Sequence, residues 1–157
     1  MSRGNRCRFR FLDPKPLVDG DLELVLAKKR TANPRKSIVP AYIFDMRRLG
    51  TRRRIGRIDL RVGNTEIIVK YGGHIGYRVD EQNRGQRFAA RSIRLLLPLA
   101  EKHRLSPLWI TCNPDNVASR RTCEIAGGIF VDVVDLPENS NLYKAGDRQK
   151  CRYRFDI

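Results

Sequence analysis

A single α+β domain is what the sequence predicts, and three observations carry it: period-two apolar segments through the first half, two helical-period segments in the second, and no linker or repeat between them. Arg6–Leu12 alternates Arg6, Arg8 and Arg10 with Cys7, Phe9 and Phe11, which predicts a half-buried strand stopped by Asp13-Pro14-Lys15-Pro16. Leu22, Leu24 and Leu26 repeat the pattern, and Tyr42, Phe44 and Met46 do so again after a polar stretch containing Asn33-Pro34. Arg53–Val62 alternates through Ile55, Ile58, Leu60 and Val62, with Gly56 breaking the register. Ile67–Lys70 and Gly73–Val79 add two further antiparallel-looking strands.

At Arg84 the period changes. Phe88, Ala89, Ser92, Ile93, Leu96, Leu97 and Ala100 share one helical face, so Gln86 to about Arg104 is expected to be an amphipathic helix, with a kink at Pro98. Leu108–Cys112 has the short apolar run of a buried strand, Val117–Ala126 is a second helix stopped by Gly127-Gly128, and Ile129–Val134 and Lys150–Ile157 are final strands. A length of 157 residues suits one domain spanning 1–157, and 41% hydrophobic content fills one core.

The formal charge is +15, and of 32 basic residues only eight are lysine, leaving 24 arginines scattered from Arg3 to Arg154. A polyanion, a phosphorylated ligand or a solvated basic surface each accounts for that. No segment has the ~18 uncharged apolar residues of a membrane span, and Met1–Arg10 is basic without an apolar stretch behind it, so a cytoplasmic location is expected. Cys7, Cys112, Cys123 and Cys151 show neither a C-x-x-C pair nor a histidine at zinc-ligand spacing. Reduced thiols and no metal site are the expectation.

The most informative stretch runs from Tyr77 to Ala89: a strand enters a basic, glycine-containing loop that opens a helix. Such a junction aims unpaired backbone N–H groups and the positive end of a helix dipole at one point, and it suits a pyrophosphate or serves as an ordinary turn with Gly85 at positive φ. The Walker pattern G-x-x-x-x-G-K-[ST] does not occur.

In this order of elements, Arg54–Phe155 resembles the Gcn5-related N-acetyltransferase (GNAT) family. The family pattern Q/R-x-x-G-x-G/A falls on Arg84-Gly85-Gln86-Arg87-Phe88-Ala89, and N-x-x-S falls on Asn116-Val117-Ala118-Ser119 at the head of the second helix. Arg87 stands where the central glycine is usual. The resemblance implies a mostly antiparallel sheet flanked by helices, with acetyl-CoA as acyl donor and an amine as acceptor. It implies that Tyr77 and Val79 pair by backbone with the pantetheine arm, that Arg84, Gly85, Gln86, Arg87, Phe88 and Ala89 hold the pyrophosphate, and that Asn116 binds the arm through its amide. Ser119 would sit near the phosphates or cap the helix. Arg91, Arg120 and Arg121 are candidates for the 3′-phosphate, because guanidinium forks match phosphate.

Transfer from a thioester to an amine needs a proton acceptor and a way to reprotonate the departing thiolate. His74, at the start of the strand leading to the loop and near where many relatives place a glutamate, is the first candidate base; Asp59 is the second. Many relatives carry a tyrosine seven residues after the asparagine as the acid, and Cys123 occupies that position here. Relatives also place helices between their first two strands as an acceptor wall, whereas about a dozen residues including Pro34 and Pro40 separate Leu26 from Tyr42. The reduced wall would be rebuilt by Met1–Leu12 or by Leu136–Arg148 with its Tyr143.

Two other readings remain beside the acyltransferase. In a nucleic-acid-binding or ribosome-associated domain, Arg47, Arg48 and Arg52–Arg54 would grip phosphates, although no RNA-recognition signature accompanies them. A non-catalytic acyl-CoA-binding protein would keep the motifs without turnover. No membrane partner is expected, and the edge strands allow a monomer or a homodimer.

Overall fold

The computed structural model describes residues 8–157; Cys7 and the beginning of the expected first strand lie outside the described residues. Among the described residues eight strands form two antiparallel sheets, one ordered β1-β2-β3-β4-β5 and the other β6-β8-β7. The strands are β1 (Leu17–Asp19), β2 (Leu22–Arg30), β3 (Ala41–Arg48), β4 (Arg54–Arg61), β5 (Ile75–Val79), β6 (Leu108–Cys112), β7 (Ile129–Asp135) and β8 (Gln149–Phe155). The helices are α1 (Phe88–Lys102), α2 (Val117–Ile125) and the short α3 (Asn141–Lys144).

Alternation along the strands decides what is buried. Leu22 and Leu24 of β2, Tyr42, Phe44 and Met46 of β3, and Ile58 and Leu60 of β4 point to one side, where Phe88, Ile93 and Leu96 of α1 join them in one core. The intervening residues of β4, Arg57, Asp59 and Arg61, face outward. The acceptor wall is reduced as expected: the connection between β2 and β3 carries only a single 3₁₀ turn, Pro34–Lys36.

Two local expectations are corrected. Residues 8–12 are not a strand; Phe9 stacks on His103, and the Leu12 N–H donates to the Tyr42 hydroxyl at 2.7 Å. Ile67–Gly72, which the β-branched run Ile67-Ile68-Val69 marks as a strand, is a π-helical turn. Its N–H groups find local partners: Val69 donates to the Thr65 carbonyl at 2.9 Å and Ile68 to the Thr65 hydroxyl at 3.3 Å, and only Ile68 needs burying. The α1 helix continues through Pro98, which lies on its exposed face, where the missing N–H and the unbonded Arg94 carbonyl cost least.

The expected single sheet is divided where the chemistry is expected. β5 and β6 touch at their starts, with the His74 N–H donating to the Trp109 carbonyl at 2.7 Å, and share no ladder beyond that point. Gly73 permits the contact: at φ +73° a Cβ would stand 3.0 Å from the Thr111 nitrogen and 3.1 Å from the Trp109 carbonyl oxygen.

Candidate active site

Beyond that contact the edge of β5 is open. The Asp80 N–H bonds back to the Ile55 carbonyl of β4 at 2.9 Å, so alternation turns the backbone groups of Tyr77 and Val79 away from β4. The Arg84 side chain caps one of them, donating from Nε to the Val79 carbonyl at 3.1 Å, and the Val79 N–H remains for a ligand.

The loop after β5 ends in two left-handed residues, Gly85 at φ +80° and Arg87 at φ 61°, the second being the N-cap of α1. Arginine therefore keeps the conformation for which glycine is usual at this motif position, at a strain of about 1–2 kcal/mol. No side chain caps α1, so its first N–H groups are left toward the loop. Around Gly85 the space is open, with nothing within 4 Å of where a Cβ would stand.

A cleft of about 640 Å³ lies between β5, this loop, α1 and α2. It brings together Tyr77, Val79, Arg84, Gly85, Arg87, Phe88 and Ala89 with Asn116 and Ser119, which lie 27 to 42 residues further along the chain. Asn116 caps α2, its Oδ1 accepting the Ser119 N–H at 3.1 Å, which leaves the amide nitrogen for the cleft. Gln86 does not line it; its side chain accepts from Arg48 at 3.0 Å. Of the three arginines expected near the 3′-phosphate, only Arg121 is in the wall. Arg91 is held by Asp19 and Asp21 at 2.9 and 2.8 Å, and Arg120 donates to the Tyr153 hydroxyl at 3.2 Å. Asn83, which no motif singles out, lines the cleft at 5% exposure with its Nδ2 lacking a partner. That orphaned donor and the uncapped helix fit a phosphorylated ligand.

The candidate base and acid change. His74 is fully buried and lies outside the cleft wall. Its Nδ1 accepts the Trp109 N–H at 2.9 Å, so its Nε2 carries the proton and donates to Asn64 Oδ1 at 2.9 Å. A base needs a free lone pair, and this imidazole has none; burial lowers its pKa to about 4. Cys123 is likewise fully buried and outside the wall, its thiol held protonated first by the hydrogen bond with Cys112 and then by burial. Tyr77, in the cleft wall, packs beside it. The Tyr77 hydroxyl donates to the Ser119 carbonyl at 3.4 Å and lies next to the Cys123 thiol, and burial holds the phenol protonated.

Asp59 sits on the outer side of β4, where Arg61 Nε donates to it at 2.9 Å. Burial raises its pKa and the Arg61 charge opposes the rise. It lines a second hollow of about 810 Å³ over β4 and β5, which shares Tyr77, Arg78 and Arg84 with the cleft. Neither residues 8–12 nor Leu136–Arg148 lines either space; within that loop Tyr143 is covered by the Arg148 guanidinium, 3.9 Å from the ring centroid. No group of three or more potential metal-ligating side chains occurs among the described residues.

No curated protein sequence matches the chain. Solved structures share its fold at low identity. One is the RimL ribosomal α-N-protein acetyltransferase in complex with coenzyme A, with a TM-score of 0.64, 16% identity, and 91% of this chain and 98% of that one covered. Another is the microcin self-immunity acetyltransferase in complex with acetyl-CoA and AMP, with a TM-score of 0.57, 18% identity, and 74% and 61% covered. A ribosomal-protein-S5-alanine acetyltransferase from Vibrio fischeri superposes with a TM-score of 0.58 at 17% identity, with the same shares of 74% and 61%. The chain thus spans less than two thirds of the length of the last two. The family model described as an acetyltransferase (GNAT) domain matches residues 6–129, starting well upstream of the motif-bearing segment. The split sheet, the loop with two left-handed residues and this match over most of the sequence agree: the chain belongs to the GNAT acetyltransferase domain family, and acetyl-CoA-dependent N-acetyl transfer is the chemistry of that family.

Proposed function

We propose that the protein transfers an acetyl group from acetyl-CoA to an amine held over the outer side of β4 and β5. The observation that carries this reading is the parting of β5 from β6 beyond His74, which leaves an open strand edge leading to an uncapped helix start. Acetyl-CoA would supply an activated acyl carbon on a thiol leaving group. The Val79 N–H and the Asn116 amide bind the arm, while the loop from Arg84 to Ala89, with Asn83 and Arg121, holds the phosphates.

As the amine nitrogen bonds to the acyl carbon and the carbon–sulfur bond breaks, the ammonium proton passes to the Asp59 carboxylate directly or through water. Asp59 takes this role because His74 has no free lone pair. The Tyr77 hydroxyl turns its one proton from the long 3.4 Å contact with the Ser119 carbonyl toward the departing sulfur, and solvent completes the reprotonation. The buried free thiols Cys112, Cys123 and Cys151 fit a reducing cytoplasm. Calorimetric titration with acetyl-CoA, followed by an amine and peptide acceptor screen, tests the reading; absence of coenzyme A binding by the folded protein refutes it.

A further inference from the structure

The outer hollow over β4 and β5 has a charge pattern that the acyl-donor site does not explain. Arg57 and Arg78 are direct cross-strand partners on the same side of the sheet. Like charges so placed, with Cβ atoms about 5 Å apart, are destabilising. Arg57 shares Asp45 with Arg47, and its side chain stays 52% exposed. Arg78 and Arg54, both exposed and both in the wall of the hollow, have no ion pair among the described residues. Asp59 is offset by Arg61, and Asp80 and Glu81 stand in the same wall. Between the two arms of this wall Gly76 keeps the floor clear: a Cβ there would stand 2.5 Å from Arg61 Nη2 and 2.9 Å from Asp59 Oδ1.

We propose that this hollow seats an acidic peptide segment of a protein acceptor, with Arg54, Arg57 and Arg78 holding its carboxylates; this rests on the acetyltransferase reading above. An anion between Arg57 and Arg78 relieves their repulsion, which Asp45 offsets only on the Arg57 side. Side chains on alternate residues of a strand repeat at about 7 Å, a spacing that an extended peptide matches. The wall that Tyr77, Arg78 and Arg84 share with the cleft puts the occupant's terminal amine beside the acyl donor. A nucleic-acid backbone offers no such amine.

Peptides with one common amino-terminal residue, followed by acidic, neutral or basic residues, test this by kcat/KM with acetyl-CoA. Added salt should shrink an acidic preference of about tenfold, since ion pairs made at an exposed surface are weakened by salt. Arg78→Gln should reduce kcat/KM for the acidic peptide by about two- to fivefold, and Arg57→Gln with Arg78→Gln should bring it to the neutral-peptide value. Arg35→Gln, on the remote 3₁₀ turn, is the control and should preserve the preference. Anisotropy of a labelled acidic peptide in the presence of coenzyme A reads binding apart from turnover. Binding that depends on Arg78 without acetylation supports the surface and refutes the transferase reading. Acetylation of small amines with no acidic preference and no peptide binding overturns the surface and leaves the transferase reading standing. Displacement of the peptide by an RNA oligonucleotide that binds more tightly overturns the peptide in favour of nucleic acid.

Discussion

His74 Nδ1 accepts the Trp109 backbone N–H at 2.9 Å, and the His74 N–H donates to the Trp109 carbonyl at 2.7 Å, so one residue holds both backbone groups of its neighbour across the point where the two sheets meet. The histidine is a clasp at the apex of the split, and the open strand edge begins where its contacts end.

The clasp predicts a stability profile. Burial lowers the folded-state pKa of His74 to about 4, below its ordinary 6.5. Above pH 6.5 the imidazole is neutral in both states and its contribution is complete. As pH falls from 6.5 to 4 the unfolded chain takes up a proton that the folded one refuses, and stability drops by about 3 kcal/mol in total. His74→Gln should be less stable at pH 7 but should lack this slope, which urea midpoints across the range will show. A wild-type profile flat over that window contradicts the assignment.

The loop gives opposite expectations for its two left-handed residues. Gly85→Val forces a β-branched residue to φ +80° and covers the approach to the uncapped helix, so acetyl-CoA affinity should fall at least tenfold with a loss of stability of about 1–2 kcal/mol. Arg87→Gly relieves strain, and the melting temperature should rise in keeping with about 1 kcal/mol. Calorimetry on Arg87→Gly then reads the guanidinium's own contribution to phosphate binding as weakened affinity in a more stable protein.

Asn116 has two jobs that two substitutions separate. Asn116→Ala removes the α2 cap and the amide donor, so stability should fall by about 1 kcal/mol and coenzyme A affinity by roughly 0.5–1.5 kcal/mol. Asn116→Asp keeps an oxygen for the Ser119 N–H at the positive end of the helix, and should lose affinity while holding its melting temperature. Equal thermal losses in both variants would contradict the cap.

For the chemical step, Asp59→Asn should lower kcat by about 10²-fold or more with acetyl-CoA affinity nearly unchanged. Tyr77→Phe retains the ring against α2 and loses only the hydroxyl, so kcat should drop by about tenfold, the equivalent of one hydrogen bond to a developing charge. Either variant turning over at the wild-type rate removes that residue from the mechanism.

Much of this protein is written in local pattern. The alternation of Tyr42, Phe44 and Met46, the helical spacing of Phe88, Ile93 and Leu96, and the two family motifs are short-range signals, and each burial preference they imply is satisfied in the structure. Ile67–Gly72 misleads because its residues have strand propensity while Thr65 supplies local hydrogen-bond partners, a competition that propensity does not weigh. The surroundings of His74, Cys123 and Tyr77 were not legible in the sequence, since each depends on which distant group it meets. Trp109 is 35 residues from His74, and Ser119 is 42 from Tyr77. Sequence by itself determined most of the strands, the two longer helices and the glycine-containing loop that joins β5 to α1, because their periods and turn residues act within a few positions. Tertiary structure alone decided which polar group is clamped in the sheet junction and which lines an open space, because whether a side chain such as His74 keeps a free lone pair depends on backbone groups that packing brings in from elsewhere in the chain.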